Sequence, residues 1–239
     1  MTSRHARLDR HLSATLGIGS KAVKPLLASG QVVLNGEVIR DAAVIINQFD
    51  RIECEGVVLP HASPVYLMLN KPAGVVSATR DDEHVTVMDL LGESAQDDLH
   101  IVGRLDFNST GLLLLTNDGR WSKSLSHPDK KVAKRYRVTT ADPVTEDMVS
   151  AFSQGMYFPY EDITTLPVEL IIMGDREVEV VLKEGRYHQI KRMFGRFQNE
   201  VLTIHRTATG DIRLDPGLAP GSVRPLTAAE IASVSVLPR

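Results

Sequence analysis

Three short segments hold residue types that could do chemistry together. The first is Gly103-Arg104-Leu105-Asp106-Phe107-Asn108-Ser109-Thr110-Gly111, just ahead of the apolar run Leu112–Leu115. A carboxylate held in a glycine-bounded turn at the mouth of a buried strand can stabilise positive charge, attack an electrophilic carbon or take a proton. Arg104 and Asp106 lie two apart and so point the same way. The same aspartate also fits an Asx-turn, its carboxylate accepting from the amides of Asn108 or Ser109. The second segment is Lys134-Arg135-Tyr136-Arg137. An aromatic among basic residues suits RNA, because its face stacks on an unpaired base for about 1–3 kcal/mol. A strand with Tyr136 turned to the core fits it equally. The third is Glu184-Gly185-Arg186-Tyr187-His188-Gln189-Ile190-Lys191-Arg192-Met193-Phe194. Ile190, Met193, Phe194 and Phe197 make the buried stripe of a helix. Lys191 falls about 100° round from Ile190, at the stripe edge, where its ammonium reaches either a half-buried cleft or solvent. Arg192 points outward.

The elements that must position these residues follow from local patterns. Leu8, Leu12 and Leu16 lie on one stripe of a helix over 7–16. Ser20 caps a second helix, 21–28, which carries Lys21 and Lys24. Asn35-Gly36 between two apolar runs predicts a hairpin. Pro60-His61-Ala62-Ser63-Pro64 reads as a linker, so the expected domains are 1–60 and 61–239. Beyond it, Val65–Leu69 and Leu112–Leu115 read as buried strands. Asp118-Gly119 opens a helix over 119–126. Arg135–Thr139, Val168–Ile172 and Glu177–Leu182 read as an antiparallel set. Thr227-Ala228-Ala229-Glu230 is a capping box. Strand and helix do not alternate regularly, which selects an α+β fold over a doubly wound one.

Composition narrows the function classes. The chain has 239 residues, 43% of them hydrophobic and 24% charged, with a single cysteine, Cys54, and a net charge of −3. One cysteine excludes an internal disulfide and a cysteine-based zinc site, and Cys54 reads as a packing residue. No apolar run is long enough to span a bilayer and the N-terminus leads into charged sequence without an apolar signal core, so a cytoplasmic protein is expected. The charge is segregated. Residues 4–24 hold five basic residues, Arg4, Arg7, Arg10, Lys21 and Lys24, against one acid. Residues 119–137 hold seven against one, and residues 81–98 hold seven acids and no base. Basic faces for a polyanion would look like this, as would chance clustering on solvated surfaces.

The helix, basic helix and Gly30-Gln31-Val32-Val33-Leu34-Asn35-Gly36 run resembles the RNA-binding module of ribosomal small-subunit protein S-four and bacterial tyrosyl-tRNA synthetases. Together with the three segments above, taken in order, the chain resembles the ribosomal pseudouridine synthase family of the RsuA type from end to end. Ser109 departs from the family's usual threonine and keeps the hydroxyl. The resemblance implies a mixed, mainly antiparallel catalytic domain behind a small S-four-like domain. It implies Asp106 as the catalytic aspartate, with Lys191 as its basic partner and Tyr136 stacked on the uracil. Arg104 would help extrude the base, and Arg186, Gln189 and Leu182 would line the substrate site. Arg7, Arg10, Lys21, Lys24, Lys134 and Arg192 would meet RNA. Neither metal nor cofactor is implied. The segment "DGRWSKSLSHP" (118–128) favours 16S over 23S ribosomal RNA, free or in a small-subunit assembly intermediate, and a monomer is the default. Two other readings stay open here: a ribosomal RNA-binding protein without activity, and a glycosidase-like hydrolase pairing Asp106 with Asp118 or Glu184.

Overall fold

The structure, a computed structural model, describes residues 5–95 and 98–235. Arg4 of the N-terminal basic run lies outside them. The chain divides into two compact units, Met1–Pro64 and Val65–Arg239.

The first unit runs β1 (His5–Arg7), α1 (Leu8–Leu16), α2 (Ser20–Ala28), β2 (Val32–Leu34), β3 (Glu37–Val38), β4 (Ile45–Asn47), β5 (Ile52–Cys54) and β6 (Val57–Val58). Leu8 and Leu12 are fully buried and pack with Val23, Leu27, Val32 and Ile52, which is the stripe the spacing predicts. Gly17, at φ 66, ends α1 in the left-handed conformation. Asn35 (φ 52) and Gly36 (φ 91) form the tight turn between β2 and β3, where positive φ is needed at both positions. Ser20 is a correction: it is the first residue of α2, and extended Gly19 occupies the cap without a side-chain bond. Cys54 is buried in this core.

The second unit is one large sheet with helices on both faces. Its strands are β7 (Tyr66–Lys71), β8 (His100–Val102), β9 (Thr110–Thr116), β10 (Lys134–Thr140), the small pair β11 (Tyr157–Phe158) and β12 (Ile163–Thr164), β13 (Glu169–Gly174), β14 (Glu177–Leu182), β15 (Val201–Thr209), β16 (Ile212–Arg213) and β17 (Val223–Pro225). The spatial order is β13-β14-β10-β15-β9-β7-β17, with β8 on β9 and β16 on β15. Every pairing is antiparallel except β15 with β9. The helices are α3 (Gly119–Ser126), α4 (Glu146–Gln154), α5 (Gln189–Gly195) and α6 (Ala228–Ala232). None of them is long and apolar enough to cross a membrane.

The run Leu112–Leu115 is uninterrupted because β9 is covered on both sides. Leu113 and Leu115 join the core under α4 and α5. Leu112 and Leu114 join the core that holds Trp121 of α3. Gly111 permits the parallel pairing of β9 with β15. At φ +99, a Cβ there would stand 2.3 Å from the carbonyl oxygen of Arg206, so no other residue fits without moving β15.

Candidate active site

The loop between β8 and β9 is built from its backbone outward. Lys71, the last residue of β7, is completely buried. Its Nζ donates to the carbonyls of Pro72 (3.0 Å), Asp106 (3.1 Å), Phe107 (3.1 Å) and Ser109 (2.9 Å). Arg206 on β15 is 2% exposed. Its guanidinium donates to the carbonyls of Leu112 (2.7 Å), Gly103 (2.9 Å) and Arg104 (3.3 Å). The Ser77 hydroxyl donates to the Leu105 carbonyl (2.6 Å) and accepts from the Leu105 amide (3.1 Å). Two buried cations and one hydroxyl thus satisfy loop carbonyls that would otherwise be stranded. Burial pushes the Lys71 ammonium down to about 8; neighbouring Asp106 pulls it up and Arg206 pushes it further down.

That arrangement leaves the Asp106 carboxylate unused by the loop. The Ser109 amide donates to the backbone carbonyl of Asp106 (3.0 Å), so the turn closes without the side chain, and the Asx-turn expected as an alternative is not formed. The carboxylate is 42% exposed and faces the Nε2 atom of His188 at 3.6 Å.

Asp106 opens onto a cleft of about 570 Å³, within the usual range for a small-ligand site. Arg104 and Asp106 line it from their loop, Lys134 and Tyr136 from β10, Leu182 from the end of β14, Ser126 from the end of α3, and His127, Pro128 and Val132 from the segment after it. Tyr136 is 8% exposed. A register shift between Arg135 and Tyr136 opposite β15 marks a bulge at this point, a device that re-aims side chains beside sites. Alternation along β10 carries Arg135 and Arg137 to the other face, where they pair with Glu179 (2.7 Å) and Glu177 (3.2 Å). The interleaved basic run therefore delivers only Lys134 to the cleft. Its Nζ donates to the Val132 carbonyl (3.2 Å), and burial, then Arg206, lowers its pKa.

Residues 184–189 close the opposite wall. Glu184 accepts from the Leu166 amide (2.9 Å), from Nε of Arg186 (3.0 Å) and from the Gln189 side chain (2.8 Å). Gln189 also accepts from the Arg186 amide (3.2 Å). Arg186 and Gln189 do line the cleft, but the Gln189 amide is spent on shaping the loop. Glu184 is likewise occupied, and Asp118 caps α3 through the amides of Arg120 (2.9 Å) and Trp121 (3.2 Å) while accepting from the Tyr66 hydroxyl (2.9 Å). Neither is a second carboxylate free to face Asp106, which removes the hydrolase reading.

Two expected residues lie elsewhere. Lys191 does not line the cleft. Ile190 takes the inward position at the start of α5, and the next residue of the helix swings out, so Lys191 is exposed beside Gln198 and Glu200. The basic group that faces Asp106 is His188, which the sequence offered only as part of a motif. Arg192 does not stand free for phosphate. Its guanidinium grips Glu161 at 2.5 and 2.6 Å and lies 3.8 Å over the Phe158 ring. In the first unit, Arg7 is bonded to Asp9 (2.8 and 3.1 Å), while Arg10, Lys21 and Lys24 are exposed.

Residues 65–195 match the family described as RNA pseudouridylate synthase. The chain is 48% identical, over 95% of its length and 100% of the relative's, to a protein of Pseudomonas aeruginosa named ribosomal small subunit pseudouridine synthase A. It is 39% identical to the protein of that name from Escherichia coli K12, covering 95% of this chain and 99% of the other. A solved structure described as a pseudouridylate synthase superposes with a TM-score of 0.70 at 37% identity, over 96% of this chain and 99% of that one. The chain belongs to the RNA pseudouridylate synthase family.

Proposed function

We propose that this protein converts one uridine of small-subunit ribosomal RNA to pseudouridine in the cleft beside Asp106. The reaction is the family's: the bond from the sugar C1′ to N1 of uracil breaks, C1′ joins C5, the C5 proton leaves and N1 gains one. The target comes from the relatives, which are named for the small subunit. The observation that carries the reading is a carboxylate left free by a loop whose carbonyls are tied by Lys71, Arg206 and Ser77, at the rim of a cleft lined by Tyr136 and Leu182.

The geometry supports a division of labour. A base must leave its stack to reach the cleft, at a cost of a few kcal/mol. Exposed Arg104, two residues before Asp106, is placed to meet phosphate or fill the vacated space. Tyr136 and Leu182 give the uracil an apolar surface on which it can turn without escaping. Asp106 acts at C1′ or its neighbouring proton, and the C5 proton passes to Tyr136 or to water. Arg186 and Lys134 supply positive charge on either wall. The first unit, with Arg10, Lys21 and Lys24 on its surface, serves as an S-four-like RNA-holding domain. The protein works as a monomer in the cytoplasm, on RNA or a small-subunit assembly intermediate.

Asp106→Asn tests the assignment. With 16S RNA carrying tritium at C5 of uridine, the variant should bind RNA as the parent does and release no tritium; normal release removes Asp106 from the chemistry. Parallel reactions on 23S RNA decide the target, and binding without release from either RNA by the parent protein would leave only an RNA-holding role.

A further inference from the structure

We infer that His188 is a positioning residue for this reaction, its imidazole edge holding the Asp106 carboxylate toward the cleft; the inference rests on the role proposed for Asp106. Lys71 and Arg206 fix the backbone around residue 106, but they touch only carbonyl oxygens. The carboxylate itself is left to rotate. Lys71 acts on it electrostatically, but among the described residues the one side chain at hydrogen-bond or salt-bridge distance from it is His188, with Nε2 at 3.6 Å. That is long for a hydrogen bond, and such contacts tighten when substrate closes the site.

Three features aim the imidazole. His188 adopts φ 48 and ψ 33, the left-handed region that residues other than glycine enter at a cost. Such a conformation persists where the surroundings over-determine it. Here the bonds among Glu184, Arg186, Gln189 and the Leu166 amide close the loop on both sides of residue 188. The ring is then fixed in plane by Tyr187, stacked on it at 3.9 Å with 18° between the planes. Strain, loop closure and stacking thus converge on one outcome: Nε2 directed at the carboxylate.

The test separates the imidazole from the backbone. Asparagine enters the left-handed region readily but its amide stops short, near the position of Nδ1. Glutamine suits that backbone less but carries its amide nitrogen to the position of Nε2. With 16S RNA transcribed with C5-tritiated uridine, His188→Asn should lower kcat about 10- to 100-fold, the usual penalty for a misplaced reacting group, with KM for RNA unchanged. His188→Gln should recover most of that loss. Equal activity in the two variants, whether high or low, or a change confined to KM, overturns the proposal. Asp106→Asn is measured alongside. If it is inactive while the His188 variants behave alike, only the role of His188 falls; if it is active, the assignment of Asp106 falls and this one with it.

Discussion

The protein uses positive charge in two opposite ways. In the first unit, Arg10, Lys21 and Lys24 project into solvent from short helices whose cores need nothing from them. In the second, Lys71 and Arg206 are among the most buried side chains of the molecule and point at backbone carbonyls. A solvated cation keeps its hydration and exchanges it for phosphate when RNA arrives, so its contribution is affinity that salt weakens. A buried one has given up its hydration on folding and recovers it only if every N–H finds an acceptor. It is committed to one loop shape. On the proposed function, the difference explains how a chain with a net charge of −3 would both bind a polyanion and organise a reaction site: the residues proposed to attract RNA are not those that shape the cleft.

The largest effect should come from Arg206→Met. It strands the carbonyls of Gly103, Arg104 and Leu112, lowering stability by about 2–4 kcal/mol, read as the urea midpoint, and freeing the Asp106 loop so that tritium release drops. Parent-like stability would end the distinction between the two classes of cation. Lys71→Met should follow closely and carry a pH signature. The Lys71 ammonium falls from 10.5 to about 8 on folding. Between those values the unfolded chain binds a proton that the folded chain has lost, so this residue's contribution to stability rises with pH from about 8 to 10.5 and is at its least below that window. Thermal melts of the parent across the window should show a rise that Lys71→Met lacks. Next, Arg10→Ala, Lys21→Ala or Lys24→Ala should leave kcat unchanged and reduce the slope of log affinity against log salt by about 1 each. A change in kcat would give one of them a place in the reaction. The smallest effect is expected of Arg192→Ala. Its ion pair with Glu161 lies at the surface, where such pairs contribute little, so the melting temperature should barely move. Its salt slope should match the parent's, and a shallower slope would return Arg192 to the RNA-facing group.

What the sequence decided alone is what neighbours along the chain decide. The Asn35-Gly36 turn, the Asp118 cap of α3, the Thr227–Glu230 capping box and the Ile190, Met193 and Phe194 stripe of α5 each depend on residues within four or five positions and stand in the structure, while Phe197, predicted on that stripe, lies past the helix end and is partly buried. The motifs around Asp106, Tyr136 and Arg186 were legible for the same reason, and so was the family they resemble. Tertiary structure decided the rest. Lys71 gave no local signal because three of its four acceptors lie 35 to 38 residues away, and Arg206 gave none because its partners lie 94 to 103 away. Lys191 and Arg192 were misplaced because helical phase gives an angle about an axis and not what stands opposite it. Asp106 reads in the sequence as a turn residue or a reacting group, and the fold shows that the turn closes through backbone atoms rather than its side chain. Only the meeting of β7, β15 and the 184–189 loop around residues 103–109 frees its carboxylate and sets His188 against it, since a contact between segments far apart in sequence exists only once the sheet between them has formed.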